Sequence, residues 1–580
     1  MAKTIRTAIV SGDDARLSYK DDLVANVTLG AGSYHIYMSG ETIHIVGGDA
    51  AGLAAGVAYF ATTVESGVTS HPQYLHTIYL ATAPTGTYSQ TTELVGGTTE
   101  NAITAYHAGD EITFVLVLQT DKVHTAGHTF KYTLSADDCT MKVTGEISAE
   151  HGVFAITVPV EMTLIPGSVR LEVNVYDASG ALLPSVYASG TDKAKYTYIG
   201  GCYVDAEQIT SDVAIPDDFE SFWAGVLKDR ETPIAEMVSG SKYRNGFAIY
   251  KMDADYLNAT GHSDMVSKLS THDMYEVFLA CDEDPTNGRP SVGFVTVPKN
   301  AAANSLPIIV GLNSYGTRDG RLSCNNNAIV VKMHPNGLPM AYYDATADSF
   351  TSHTYFSEDA NFGKIVSDYD EPENAYLAKM LLRNIQMLHY LTNEDYDDIA
   401  PSPDFTNLDD FDEFQMLRDA YNGKISFVGD GSMGGFQHIA TAALCFVEVR
   451  REGLLVNGEV TSTAAHCPWM CDPVAVAGLT GRLMGQGTRL GQGENTGNIE
   501  ELDIVNYSYF DTAHFATLIS ETCMVKVTGG FADTTCPSSG LMALYNAVKG
   551  KKSIEMLQNK DHSAAYPKTQ LKTSTSYTPD

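Results

Sequence analysis

The chain contains a short apolar strand pattern that ends in a glycine-flanked serine and runs directly into an apolar helix pattern. The strand pattern and the serine lie in residues 424–437, where Gly431 and Ser432 precede Met433, and the helix pattern covers residues 436–446. Small neighbours permit a tight, strained turn that a ligand can approach closely. The run therefore predicts that Ser432 lies on a sharp strand-to-helix turn, which is how a nucleophilic serine is presented. Because Asp430 stands where a glycine is usual, a plain turn remains the alternative.

Length and charge limit the kinds of protein that this chain can be. Its 580 residues exceed what one hydrophobic core supports, so we expect three domains or more. The formal net charge of −34 repels phosphate backbones, so nucleic acid is not an expected partner. Neutral glycans or small neutral esters fit this charge better. No apolar run reaches membrane-spanning length, so no membrane partner is expected.

The start of the chain and its cysteines limit the possible location and function less than length and charge do. The first residues lack the apolar core of a secretion signal, so two expectations stay open. The protein is either cytoplasmic or virion-associated, or it is exported and its leader has been removed.

The nine cysteines have no zinc-ribbon spacing and are expected to be reduced, buried thiols. The acidic stretch 393–413 is expected to be a solvated loop, with a calcium site as the alternative.

Composition and periodicity divide the chain into three regions. Residues 1–88 predict a small α/β module with a hairpin at 34–46 followed by a helix. Residues 89–205 predict an Ig-like β-sandwich, because strand patterns recur there and one at 169–175 alternates cleanly between apolar and polar residues. Residues 206–580 alternate strand and helix patterns, which favours a mostly parallel sheet with helices on both faces.

The C-terminal region also carries the partners that a serine nucleophile needs. In α/β-hydrolases the acid and then the histidine follow the serine, each after a late strand. Asp533 follows the strand pattern at 523–528, and His562 follows the pattern at 553–557. One oxyanion donor usually comes from the loop after an early strand. We therefore predict the backbone N–H groups of Tyr315 and Met433 as the two donors.

The same residues resemble a known family over about residues 215–567. Gly431-Ser432-Met433-Gly434-Gly435, the acid loop from Asp533 and the Asp561-His562 pair resemble the motifs of acetyl xylan esterases and cephalosporin C deacetylases. The resemblance is in particular to multidomain members from gut Bacteroidetes. It implies an α/β-hydrolase with Ser432 as nucleophile, Asp533 as orienting acid and His562 as base. It also implies an acetylated polysaccharide or oligosaccharide as substrate, and no metal or organic cofactor.

Some residues depart from the family pattern and leave alternatives open. Met433 replaces a glutamine, and Asn313-Ser314 replaces His-Gly. Our main hypothesis is a carbohydrate esterase that removes O-acetyl groups from a glycan. The alternatives are a serine peptidase of the same fold, and a weak or inactive hydrolase-fold protein that binds glycans or forms part of a virion or surface assembly.

Three aromatic residues are candidates for binding sugar, and the oligomeric state is open. Trp469, Tyr507 and Tyr509 are predicted to line the sugar site by stacking, with burial in the core as the alternative. The sequence leaves open whether the protein forms a homo-oligomer.

Overall fold

A computed structural model gives the structure of the protein over most of the C-terminal region and over separate parts of the N-terminal half. It describes residues 4–9, 34–39, 42–47, 49–59, 76–80, 106–120, 129–136, 141–148, 153–176, 179–182, 198–228, 247–279, 281, 291–314, 322–334, 337, 341–344, 349–352, 371–393, 417–429, 431–449, 453–473, 501–533, 535–558, 560, 562 and 574–577.

Regular elements are numbered in chain order. The strands are β1 Thr4–Ile9, β2 Tyr34–Ser39, β3 Thr42–Gly47, β4 His76–Leu80, β5 Thr113–Thr120, β6 Thr129–Ser135, β7 Lys142–Ser148, β8 Val153–Thr157, β9 Gly167–Tyr176, β10 Tyr198–Val204, β11 Phe247–Lys251, β12 His272–Leu279, β13 Ser291–Pro298, β14 Leu306–Leu312, β15 Ile329–Met333, β16 Ala341–Asp344, β17 Ser349–Ser352, β18 Tyr421–Phe427, β19 Gly431–Ser432, β20 Glu448–Val449, β21 Gly453–Leu454, β22 Glu459–Pro468, β23 Met524–Gly530, β24 Lys552–Leu557 and β25 Ser574–Tyr577. The helices are α1 Ala50–Tyr59, α2 Phe219–Lys228, α3 Ala254–Ala259, α4 Tyr376–Thr392, α5 Met433–Leu444, α6 Glu501–Ser508, α7 Thr512–Ala516 and α8 Ser538–Ala547.

One 11-stranded sheet organises the C-terminal region. Its order is β11-β12-β13-β15-β14-β18-β22-β23-β24-β25, and β19 pairs with β22. The run from β15 to β24 is parallel. Strands β14 and β15 of this run are short and mainly apolar because both faces of a parallel sheet are covered. Apolar runs of the sequence at 308–312, 328–333, 425–429 and 524–528 overlap strands of this run.

The sheet is mixed, because antiparallel strands flank its parallel centre. Strands β11, β12 and β13 join one edge as antiparallel neighbours, and β25 joins the other edge antiparallel to β24. Antiparallel edge strands are common on large, otherwise parallel sheets. The sequence pattern missed them because apolar periodicity reports burial and not strand direction.

Helices share one core with this sheet. All twelve residues of α5 are buried, and α4 buries most of its side chains. Apolar residues of both helices belong to the same buried cluster as the parallel strands. No helix among the described residues is long and apolar enough to cross a membrane.

Two further groups of strands precede this region. In the first, β1 pairs parallel with β3, and β3 pairs with β2 as the predicted hairpin, followed by α1. The second comprises a four-stranded antiparallel sheet, β10-β9-β6-β7, and a three-stranded sheet, β4-β5-β8. The β-sandwich and the domain bounds 1–88, 89–205 and 206–580 stay predictions.

Candidate active site

Ser432 is the last residue of β19 and lies at a strained turn directly before α5. Its backbone has φ 57° and ψ −121°, in a region that L-residues rarely adopt. Such strain costs about 1–3 kcal/mol and persists only where the surrounding structure enforces it. The neighbouring glycine is required by the packing, since a Cβ on Gly431 would lie 2.6 Å from the His466 carbonyl oxygen. The sharp turn predicted at this serine is therefore present.

The end of β22 fixes this turn in place. Ser432 pairs with Pro468, and its carbonyl accepts a hydrogen bond of 2.9 Å from the N–H of Trp469. Three non-glycine residues with positive φ follow one another closely here, Cys467, Met470 and Asp472. The nucleophile turn is thus attached to an equally constrained segment of its neighbouring strand.

Asp533 follows β23 and is oriented by two backbone amides. Its Oδ1 accepts hydrogen bonds from the N–H of Thr535 at 2.8 Å and of Cys536 at 2.9 Å. Its Oδ2 lies 2.9 Å from Nδ1 of His562. The residue is 3% exposed, so the two amides and the imidazole satisfy a carboxylate that has little access to water.

His562 is held beside this carboxylate by the loop after β24. The N–H of Ala532 donates to the Lys560 carbonyl at 3.0 Å, and that of Phe531 donates to the Leu557 carbonyl at 3.0 Å. The loops after β23 and β24 are therefore hydrogen-bonded to each other where they leave these two neighbouring strands. With Nδ1 facing a carboxylate, the hydrogen-bond network assigns the imidazole proton to Nδ1 and leaves Nε2 as the acceptor. The side chain is 30% exposed, so it is open to solvent or substrate.

Ser432 and His562 both border the end of β22. Pro468 pairs with Ser432, while Sγ of the preceding Cys467 lies within 4.8 Å of a ring nitrogen of His562. Within the described parts of the chain, no hydrogen bond joins Ser432 Oγ to His562. In unliganded enzymes this contact is often long and tightens when substrate binds.

Of the two predicted oxyanion donors, one lies among the described residues. Met433 is the first residue of α5, so its N–H has no acceptor within the helix. The side-chain amide of Gln437 on the same helix donates to the Asn313 carbonyl at 2.9 Å, which ties the end of β14 to α5. Tyr315 and Asp430 lie outside the described residues.

A buried histidine strengthens the same junction. Nε2 of His438 on α5 accepts a hydrogen bond of 3.1 Å from the N–H of Leu312. Burial, and then the charge of Lys332, lower the pKa of His438 to about 3, while the backbone of Ala464 acts in the opposite direction. This imidazole is therefore neutral at ordinary pH, with its proton on Nδ1, and serves as a positioning group.

Sequence reasoning missed two neighbours of the acid–histidine pair. His466 is the last residue of β22 that pairs with β23, and its Nδ1 lies 2.6 Å from Oγ1 of Thr528. Burial lowers the pKa of His466, Lys560 and His562 lower it further, and Asp533 opposes them. Cys467 follows and is 1% exposed. Strand β22 is rich in Ser, Thr and Ala, so the apolar pattern of the sequence did not predict it. Its position in the chain between Ser432 and Asp533 was the signal that could have pointed to His466 and Cys467.

The three aromatic candidates have different surroundings. Trp469 follows the segment paired with Ser432, and its ring contacts Phe436 edge-on. Tyr507 is 5% exposed. Tyr509 stacks against α2, and its hydroxyl donates to Oδ1 of Asp218 at 2.6 Å. Sugar binding by these residues stays a prediction, and Trp469 is the one attached to the nucleophile turn.

Comparison with known proteins gives matches in the C-terminal region. Residues 457–577 match the acetyl xylan esterase (AXE1) family. The acetyl esterase Axe7A of Xylanibacter ruminicola is 23% identical over 355 residues, or 60% of this chain. The chain spans 63% of the length of that relative.

Solved structures give weaker likenesses. An acetyl xylan esterase from Paenibacillus sp. R4 matches 62% of this chain and 94% of its own, with 17% identity and a TM-score of 0.39. Acetyl xylan esterase 1 from Thermoanaerobacterium sp. JW/SL YS485 matches 62% and 93%, with 16% identity and a TM-score of 0.40.

Asp533 and His562, which the structure joins, both lie inside the matched segment, while Ser432 precedes it. The resemblance predicted from the motifs is confirmed: the C-terminal region of this chain is similar to the acetyl xylan esterase family.

Proposed function

We propose that this chain is a serine carbohydrate esterase that removes O-acetyl groups from a glycan. The observation that carries the proposal is the 2.9 Å contact between His562 and a buried, amide-held Asp533, next to the strand end that fixes Ser432 in a strained turn. A loop with only a structural role would not require a buried carboxylate–histidine pair next to a strained serine turn. Similarity to acetyl xylan esterases supports the same reaction class.

The first half of the reaction forms an acetyl-enzyme. Ser432 Oγ attacks the ester carbonyl while Nε2 of His562 takes the hydroxyl proton. Asp533 holds Nδ1–H and stabilises the imidazolium that forms. The Met433 N–H, together with the predicted donor Tyr315, stabilises the oxyanion, and each donor contributes about 3 kcal/mol. His562 then returns its proton to the departing sugar hydroxyl.

The second half releases acetate. His562 removes a proton from water, the resulting hydroxide attacks the acetyl carbonyl, and Ser432 Oγ leaves with the proton from His562. Proton transfer and charge stabilisation by this chain's own groups account for both halves. The strongly negative chain favours an uncharged acetylated polysaccharide such as acetylated xylan over an acidic one.

Replacing the nucleophile tests the proposal. Ser432→Ala should lower the rate of p-nitrophenyl acetate hydrolysis and of acetate release from acetylated xylan by roughly 10⁵-fold or more. Ser426→Ala, on strand β18 just before the turn, is the matched control and should retain activity. Circular dichroism would establish that both variants fold. Turnover by Ser432→Ala at the wild-type rate would refute the proposal, and so would a wild-type protein with no esterase activity.

A further inference from the structure

Cys467 brings a sulfur atom to the acid–histidine pair. Its Sγ, a carboxylate oxygen of Asp533 and a ring nitrogen of His562 all lie within 4.8 Å of one another. Cys467 and Asp533 are almost fully buried, whereas His562 is partly open. A small ion can therefore reach the cluster past the imidazole.

The local backbone determines the position of this sulfur. Cys467 follows the end of the ladder between β22 and β23, and Asp533 follows β23. The left-handed φ of 42° at Cys467 and the pairing of Pro468 with Ser432 leave its backbone little freedom. The thiol is thus held beside the pair by the same strand end that fixes the nucleophile turn.

The donor set has the chemistry of a zinc site. Thiolate, imidazole and carboxylate are the three ligand types that Zn²⁺ takes in proteins, and three protein ligands with an open fourth position are common. Calcium and magnesium prefer oxygen ligands, which this cluster does not supply in number. One thiolate and one carboxylate would balance the charge of a divalent ion.

We propose that Zn²⁺ binds to Cys467, Asp533 and His562 and reversibly inhibits the enzyme. On binding, the thiol proton passes to solvent, and the imidazole keeps its single proton on the nitrogen that faces away from the ion. If the ion occupies Nδ1, the proton moves to Nε2, which can no longer accept one from Ser432. If the ion occupies Nε2, it blocks that atom directly. The effect on turnover rests on the proposed function, whereas the binding does not.

A second cluster provides an internal comparison. His107 Nδ1 lies 2.7 Å from Asp205 and 3.8 Å from Glu207, in a cluster that contains no thiol and none of the proposed catalytic residues. Zinc bound only there would leave esterase turnover unchanged. His107→Ala therefore separates the two clusters.

The experiment measures inhibition of p-nitrophenyl acetate hydrolysis by zinc chloride in buffer free of chelators, with each variant compared to its own zinc-free rate. We expect the wild type to be inhibited and EDTA to restore it. Cys467→Ala should require a zinc concentration at least about tenfold higher for the same degree of inhibition, since even outer-shell partners contribute roughly 10–100-fold to metal affinity. His107→Ala and Cys471→Ala, the latter at a neighbouring buried thiol, should behave like the wild type. Equal inhibition of Cys467→Ala and wild type would overturn the proposal.

Calorimetry with zinc chloride separates this inference from the proposed function. Ser432→Ala should bind zinc with wild-type affinity, and Ser432→Ala/Cys467→Ala should bind it at least about tenfold more weakly. Zinc binding by an active Ser432→Ala would reject the esterase assignment and keep the site. Unchanged binding by the double variant would reject the site and keep the esterase. Cys467→Ser replaces Cys467→Ala in all arms if the alanine variant does not fold.

Discussion

At the scale of single residues, the two carboxylate oxygens of Asp533 have different hydrogen-bond partners. Oδ1 accepts two backbone N–H groups and fixes the carboxylate, while Oδ2 faces Nδ1 of His562. Buried carboxylates satisfied in this way hold an imidazole in one tautomer. The order of Ser432, Asp533 and His562 along the chain, their places after strand patterns and the family resemblance predicted that Asp533 and His562 lie close together. Their catalytic roles stay predictions.

Asp533→Asn tests the charge of that group. The amide keeps the shape but cannot satisfy two N–H donors and an imidazole N–H in one orientation, so the wrong tautomer is favoured. We expect kcat for p-nitrophenyl acetate to fall by roughly 10³–10⁴-fold with little loss of thermal stability. Asp511→Asn, at another buried aspartate that caps α7, should instead lower the melting temperature more than kcat. The reverse pattern would contradict the assignment.

The neutral His438 predicts how stability depends on pH. Its pKa is lowered in the folded protein to about 3 from an ordinary 6.5, so the unfolded chain binds more protons between these values. Stability should therefore fall with decreasing pH across this window, by about 1.4 kcal/mol per pH unit from this group. Between pH 6.5 and 5 the loss should be about 2 kcal/mol smaller in His438→Gln, measured by urea unfolding. Parallel losses in the two proteins would show that His438 is not the cause.

At the scale of elements, the nucleophile turn depends on how closely α5 approaches β22. A Cβ on Gly435 would lie 2.9 Å from Pro468 Cα and 3.0 Å from the His466 carbonyl oxygen. Apolar patterns predicted this helix and the strand before it. They missed β22 and therefore could not predict that His466 and Cys467 lie beside the acid, because side-chain neighbours at a strand end follow from pairing and register.

Gly435→Ala should push the helix away from β22. The added methyl group meets backbone atoms that cannot rotate aside, so we expect a loss of about 1–3 kcal/mol in the free energy of unfolding, together with reduced kcat. Gly225→Ala on α2 is the control, because nothing lies within 4 Å of its Cβ position. Removing that helical glycine should stabilise the protein by about 0.5–1 kcal/mol. Equal effects at the two sites would argue against the close approach.

At the scale of the whole molecule, β10 packs against the loops that carry the acid and the histidine. Gln558, four residues before His562, accepts hydrogen bonds from the Tyr198 hydroxyl at 2.9 Å and the Gly201 N–H at 2.8 Å, and donates to the Gly201 carbonyl at 2.6 Å. The Tyr203 ring contacts Phe531 just before Asp533. These contacts join residues more than 300 positions apart, so no local sequence pattern could predict them.

Gln558→Ala should therefore weaken both stability and catalysis. It leaves the Tyr198 hydroxyl and both backbone groups of Gly201 buried without their partner, at a cost of about 2–4 kcal/mol. A melting curve and a kcat measurement check this, with the exposed Lys551→Ala as control. An unchanged melting temperature in Gln558→Ala would contradict a supporting role for β10.

The most direct measurement of the central claim is covalent labelling of the nucleophile. The folded protein is treated with diethyl p-nitrophenyl phosphate, and the modified peptide is identified by mass spectrometry. The account predicts one diethylphosphoryl group per chain, on Ser432, and a large loss of labelling rate in His562→Ala. Labelling at another residue, or none in the wild type, would contradict it.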